Sequence, residues 1–254
     1  MPETNGNENP VSEAARKQNE RTEARFFEDV DKLIAEAEST GGEYQPPNPI
    51  STDDVLKAKR DASMAKRGGK QSDDTAEEQE RNARENLYKP MDTDVTSLVG
   101  YAKSAGKKPN EIAALQSIAR EIKGTRAKPI DPNDTAPHIS VANLSYVTRA
   151  DNYARFVEQY DALAIPTEED FYKASTHRAK LAAYRAANQA VITAEAKANA
   201  SQAEYDQITY LDEDSLMNAC ISSKAYFKSK FKNTHYQNIA KTRFEPPTRL
   251  RKKK

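Results

Sequence analysis

Two stretches of this chain, 130 residues apart, carry nearly the same residues: Ala24-Arg25-Phe26-Phe27-Glu28 and Ala154-Arg155-Phe156-Val157-Glu158. Three further pairings follow in the same order. Asp54-Val55-Leu56-Lys57-Ala58 matches Asp170-Phe171-Tyr172-Lys173-Ala174, Tyr88 matches Tyr210, and Gly100-Tyr101-Ala102-Lys103-Ser104 matches Ala225-Tyr226-Phe227-Lys228-Ser229. Order and near-constant spacing point to two divergent copies of one unit of roughly 100 residues, a length at which neighbouring copies close a core together. The copies fall at 20–127 and 144–247, separated by a Pro-rich linker at 128–143. An acidic flank at 1–19 and a basic tail at 248–254 enclose them. The expectation is a pseudo-symmetric pair of small bundles or one intertwined bundle. Its repeat-core candidates are Phe26, Phe27, Tyr101, Phe156, Tyr226 and Phe227.

The periodicity inside each copy is helical. Phe26, Phe27, Val30, Leu33, Ile34 and Ala37 recur at spacings of three, four and seven and make one apolar stripe on a helix ending at Gly41-Gly42. A second helix is expected from Ser51 to about Ala65, broken by Gly68-Gly69, with a third from Asp73 or Asp74 to Tyr88. Asp92 or Asp94 opens the next, and Pro109 starts an amphipathic helix that Gly124 stops. In copy two, Thr167-Glu168-Glu169-Asp170 has the form of a capping box. It opens a run without Gly or Pro to about Tyr210, long enough for one unbroken helix. Asp212 or Asp214 begins the helix that holds Cys220 and Phe227. The fold class expected is all-α.

Copy two resembles a group of helical proteins from Bacteroidetes-type bacteria. The residues that carry the likeness are Tyr153-Ala154-Arg155-Phe156-Val157, Pro166-Thr167-Glu168-Glu169-Asp170, Ile208-Thr209-Tyr210 and Ala225-Tyr226-Phe227-Lys228-Ser229-Lys230-Phe231. The chain departs from that pattern at Lys232, where a Gly is expected. What the resemblance implies is a helical fold; it brings no activity and no catalytic residues.

Charge is balanced in sum, 39 basic against 39 acidic side chains, and unbalanced in place. Residues 1–49 hold five basic and 11 acidic groups, while 241–254 hold seven basic and one acidic. Such opposed ends pair with each other, with another copy or with separate partners. The single cysteine, Cys220, excludes an internal disulfide. No run is apolar enough for an integral membrane span and no secretory leader is evident, so a cytoplasmic location is expected.

The reactive residue types do not converge. His138, His177 and His235 lie far apart without metal-ligand spacing, and the paired carboxylates fall at helix starts, where capping explains them. The glycines match no phosphate loop or dinucleotide fingerprint. The expectation is therefore a non-catalytic structural or protein-interaction module without cofactor or metal, working through a protein partner or a homo-oligomer. The alternative is a nucleic-acid-associated protein. Its phosphate contacts would be Arg249, Arg251, Lys252, Lys253 and Lys254 of the basic tail, which also reads as a solubilising terminus.

Overall fold

The computed structural model describes residues 13–125 and 145–250. The proposed linker at 128–143 and the tail residues Arg251, Lys252, Lys253 and Lys254 lie outside the described residues, as does His138. Among the described residues the chain is all-α, with no strand. The helices are α1 (Glu13–Ser39), α2 (Asp53–Tyr88), α3 (Met91–Ser104), α4 (Pro109–Lys123), α5 (Tyr146–Asp161), α6 (Ala174–Asp206), α7 (Leu216–Lys230) and the short α8 (His235–Ile239).

These helices build two compact units. The central unit comprises residues 76–195; the split unit is formed by the chain up to Thr75 together with the chain from Ala196. The helices α2 and α6 therefore each give one part to one unit and the remainder to the other. The central unit takes the end of α2, then α3, α4 and α5, and most of α6. The split unit takes α1, the start of α2, the end of α6, α7 and α8. Neither unit follows the boundaries expected for two copies, and each core draws on residues from both expected stretches.

In the split unit the α1 stripe is sealed: Phe26, Phe27, Val30, Leu33, Ile34 and Ala37 are each at most 5% exposed. They pack with Leu56 of α2 and with Tyr205, Tyr210, Leu216, Ala219, Cys220 and Phe227. In the central unit α3 buries Met91, Val95, Leu98 and Ala102, and α4 buries Ile112, Leu115 and Ile122. Against them stand Tyr153, Phe156, Val157 and Tyr160 of α5 and Tyr184 of α6. Full burial of one such side chain contributes about 1.5–3 kcal/mol, so the stripes outweigh the weak helix propensity of the aromatic and β-branched residues in them. Tyr101 and Tyr226 are only partly buried and lie at the edges of the two cores.

Helix α6 shows how so polar a chain holds a 33-residue helix. Five of its buried positions, His177, Tyr184, Val191, Ala198 and Tyr205, recur every seven residues, and with Asn188 and Asp206 they give a narrow seam rather than a broad apolar face. Charged pairs extend that seam. In the split unit Asp73 accepts from Lys197 at 2.9 Å and Lys66 reaches Glu204 at 2.6 Å. In the central unit Asn188 donates to the Tyr88 hydroxyl at 2.9 Å, and Tyr88 donates to the Tyr146 carbonyl at 3.0 Å.

Two expected helix boundaries are corrected. Gly68-Gly69 does not break α2, which runs unbroken from Asp53 to Tyr88. Neither glycine has a positive φ, and flanking residues anchor the helix: Arg67 lies over the Phe27 ring at 5.6 Å and approaches Glu23. These contacts offset a helix cost of about 1 kcal/mol per glycine. The Thr167–Asp170 capping box does not open α6 either. Thr167 accepts from the Glu169 N–H in a local turn, a 3-10 turn follows at Asp170–Tyr172, and α6 starts at Ala174. Other signals coincide with ends: Pro109 begins α4, and Gly124 ends it in the left-handed conformation at φ 65°.

Candidate functional site

The residue types that carry chemistry are largely built into the interior. His177 is fully buried; its Nδ1 lies 2.7 Å from the Tyr153 hydroxyl and its Nε2 2.6 Å from the Phe171 carbonyl. A carbonyl only accepts, so Nε2 carries the proton and Nδ1 accepts from Tyr153. Burial holds the imidazole pKa below its usual value and pushes the Tyr153 hydroxyl up. Cys220 is buried at the α1–α7 contact, and desolvation raises its thiol pKa, which disfavours the thiolate. No group of three or more metal-ligating side chains forms among the described residues.

Arg249, expected in an open basic tail, is placed otherwise. Its guanidinium reaches inward to Glu23 of α1 at 3.1 Å and to Asp206 at the end of α6. Glu23 is 3% exposed and is also approached by Arg67 at 3.8 Å and Lys70 at 4.0 Å. Burying that carboxylate without cations would cost several kcal/mol, and Arg249 is the cation with the best hydrogen-bond geometry. It fastens the C-terminal turn Thr248–Leu250 and is not free to meet a phosphate.

The open site lies elsewhere in the split unit. A cleft of about 820 Å³ is bounded by α1, α7 and the segment that follows α8. Arg25, Asp29 and Lys32 come from one face of α1, at spacings of four and three. Lys224 comes from α7, Asn238 from α8, and Lys241, Thr242 and Arg243 from the segment that follows it. The lining thus holds five cationic side chains and one carboxylate.

That carboxylate serves the walls. Asp29, 8% exposed, accepts from the Arg243 backbone N–H at 2.9 Å and from Lys32 at 3.5 Å, tying the C-terminal segment to α1. The Lys224 ammonium donates to the carbonyls of Ala240 at 3.0 Å and Thr242 at 2.6 Å, which closes the far wall. Desolvation lowers its pKa, opposed by Asp29 and reinforced by Lys228. At the rim, Glu36 accepts from Asn238 and pairs with His235 at 2.5 Å. No carboxylate of the described residues pairs with the side chains of Arg25, Lys241 or Arg243. The arrangement gives the cleft an excess of positive side chains, a lining that can attract an anion.

The sequence carried part of this signal. Lys241 and Arg243 stand in the basic C-terminal block and Lys224 in the lysine-rich run of α7. Arg25 and Lys32 passed unnoticed because the apolar stripe of the same helix dominates its reading. A second, smaller cleft of about 350 Å³ lies in the central unit, lined by α3 and α4 residues that include Lys103, Arg120 and Lys123. Comparison with known proteins finds no family model that matches the chain, and no curated protein or solved structure that does. No described helix is long and apolar enough to cross a membrane.

Proposed function

We propose that this protein is a non-catalytic helical interaction module that binds an anionic partner in the cleft between α1 and α7. The observation that carries the reading is the charge of that cleft: five cations converge from three elements, with the one carboxylate committed to its walls. Binding is what such a lining does well. The acid–base pair nearby, His235 with Glu36, is tied to Asn238 at the rim, and the lining itself is a cation cluster suited to holding a bound anion.

The scaffold is, on the same proposal, an internal duplication whose copies exchange halves. Helix order repeats from α1–α4 to α5–α8, with a long second helix each time. Counterpart tyrosines make counterpart contacts. The Tyr101 hydroxyl donates to the Pro166 carbonyl and its ring stacks on Tyr172 at 3.9 Å; the Tyr226 hydroxyl accepts from the Gln45 N–H and its ring meets Tyr44 at 5.6 Å. In both cases the loop that is held leads into a long helix.

A nucleic acid is the second reading, favoured by the same cations, and phosphate contacts distinguish it through their steep loss with salt. Affinity capture from native lysate, with and without nuclease, tests the proposal when wild type is compared with an Arg25→Glu/Arg243→Glu chain. Protein capture that resists nuclease and disappears with the double reversal supports the module. Recovery of nucleic acid alone would replace it with the second reading, and capture indifferent to the reversal would remove the cleft from the account.

A further inference from the structure

We infer that the cleft of the split unit is a receptor site for a small soluble oligophosphate, an anion with two or more clustered phosphate groups. This rests on the cleft being the interaction site, and adds the class of ligand.

Charge density is the first argument. Arg25, Lys32, Lys224, Lys241 and Arg243 surround about 820 Å³ with only Asp29 among them, and Asp29 already holds the Arg243 backbone and Lys32. A net excess of four positive charges in a volume of that size matches a di- or triphosphate, which carries comparable charge within a few bond lengths. An acidic peptide spreads its carboxylates along an extended backbone and would satisfy fewer of the five cations at once.

The donors are the second argument. Two guanidiniums, Arg25 and Arg243, line the cleft, one from α1 and one from the C-terminal segment, and neither pairs with a carboxylate among the described residues. Each presents a planar fork that meets two oxygens of one phosphate. Lys224 spends two donors on the Ala240 and Thr242 carbonyls; the ammonium has a third. It is a cation held in place by neutral acceptors with Asp29 near it, and its third donor can meet a bound anion.

The lining's composition is the third. It contains no aromatic side chain and only Ala240 as an apolar one. There is no stacking platform for a base and no apolar socket for a hydrophobic anchor, so recognition in the cleft rests on the charged oxygens of the ligand.

The test is calorimetric titration of the full chain with inorganic triphosphate at low ionic strength, with sodium sulfate at matched ionic strength as reference. The expected result is one site per chain for triphosphate, with sulfate far weaker. Arg25→Ala and Arg243→Ala should each weaken binding roughly tenfold or more, the worth of one charge-assisted contact pair. Arg25→Lys should retain part of the affinity. Lys103→Ala, in the cleft of the central unit, should leave it unchanged. Thermal melting of each variant at the wild-type temperature shows that folding is not the cause. Triphosphate binding that is absent, no stronger than sulfate, or indifferent to Arg25 and Arg243 would overturn the inference. If a single-stranded oligonucleotide or a poly-glutamate peptide binds instead and the arginine variants abolish it, the ligand class is wrong and the cleft stands. If no anion responds to those variants, the cleft falls with it.

Discussion

Arg249 donates from Nη1 to the carboxylate of Glu23 at 3.1 Å, joining the C-terminal turn to a helix that begins the described chain. The same guanidinium meets Asp206, so a residue with every sequence attribute of a loose tail is a structural fastening. Arg249→Ala should lower stability by about 1–3 kcal/mol, because two charge-assisted hydrogen bonds are lost and Glu23 keeps only the longer approaches of Arg67 and Lys70. A chain ending at Leu250 should melt like wild type, whereas one ending at Thr248 should melt measurably lower. Equal melting of the two truncations would remove the fastening role.

Helix α2 crosses Gly68 and Gly69 with nothing within 4 Å of the position a β-carbon would take at either residue. Gly68→Ala and Gly69→Ala should each stabilise the protein by about 0.5–1 kcal/mol, since both φ angles are already helical and alanine restricts the unfolded chain. Ala164 presents the reverse case, a non-glycine residue at φ 46° just beyond α5. Ala164→Gly should lose little or gain slightly, because relief of left-handed strain opposes the added unfolded-state freedom. Denaturant midpoints of the three variants measure this, and a loss at Gly68 or Gly69 would mean that the helix needs a break there.

Helix periodicity made most of the fold legible. The stripe from Phe26 to Ala37 and the one from Ile112 to Ile122 are buried as spaced, and Pro109 and Gly124 bound their helix. Gly68-Gly69 misled because local propensity is weak against contacts to Phe27 and Glu23 that come from distant chain. The division of α2 and α6 between two units was not legible at all, since an apolar helical stripe does not say which other helices will cover it. The cleft was legible only in fragments: Arg25 and Arg243 are brought to one opening by tertiary contact, the Asp29 bond to the Arg243 backbone among them.

His177 gives the protein an acid-sensitive point. The groups facing it are the Tyr153 hydroxyl and the Phe171 carbonyl, with Asp94 and Lys180 nearby, and burial is the largest influence in depressing its pKa. In the unfolded chain the imidazole takes a proton below about pH 6.5, while in the folded chain it stays neutral to lower pH. Stability from this residue is therefore complete above about pH 6.5 and lost as pH falls from there through the depressed folded value. Denaturant unfolding at several pH values from 7.5 downward should show that loss. In His177→Gln, less stable at pH 7.5, the slope below pH 6.5 should be shallower. An unchanged slope would assign the acid sensitivity to the carboxylates instead.

The central claim is that this helical scaffold engages its partner through the cationic cleft. A photoreactive residue at Lys241, whose side chain is exposed on the cleft wall, tests it most directly in the protein's native cellular setting. The account predicts a discrete adduct from position 241, none from position 103, and loss of the adduct when Arg25 and Arg243 are both reversed to Glu. Adducts that survive the reversal, or that form equally from position 103, would contradict it.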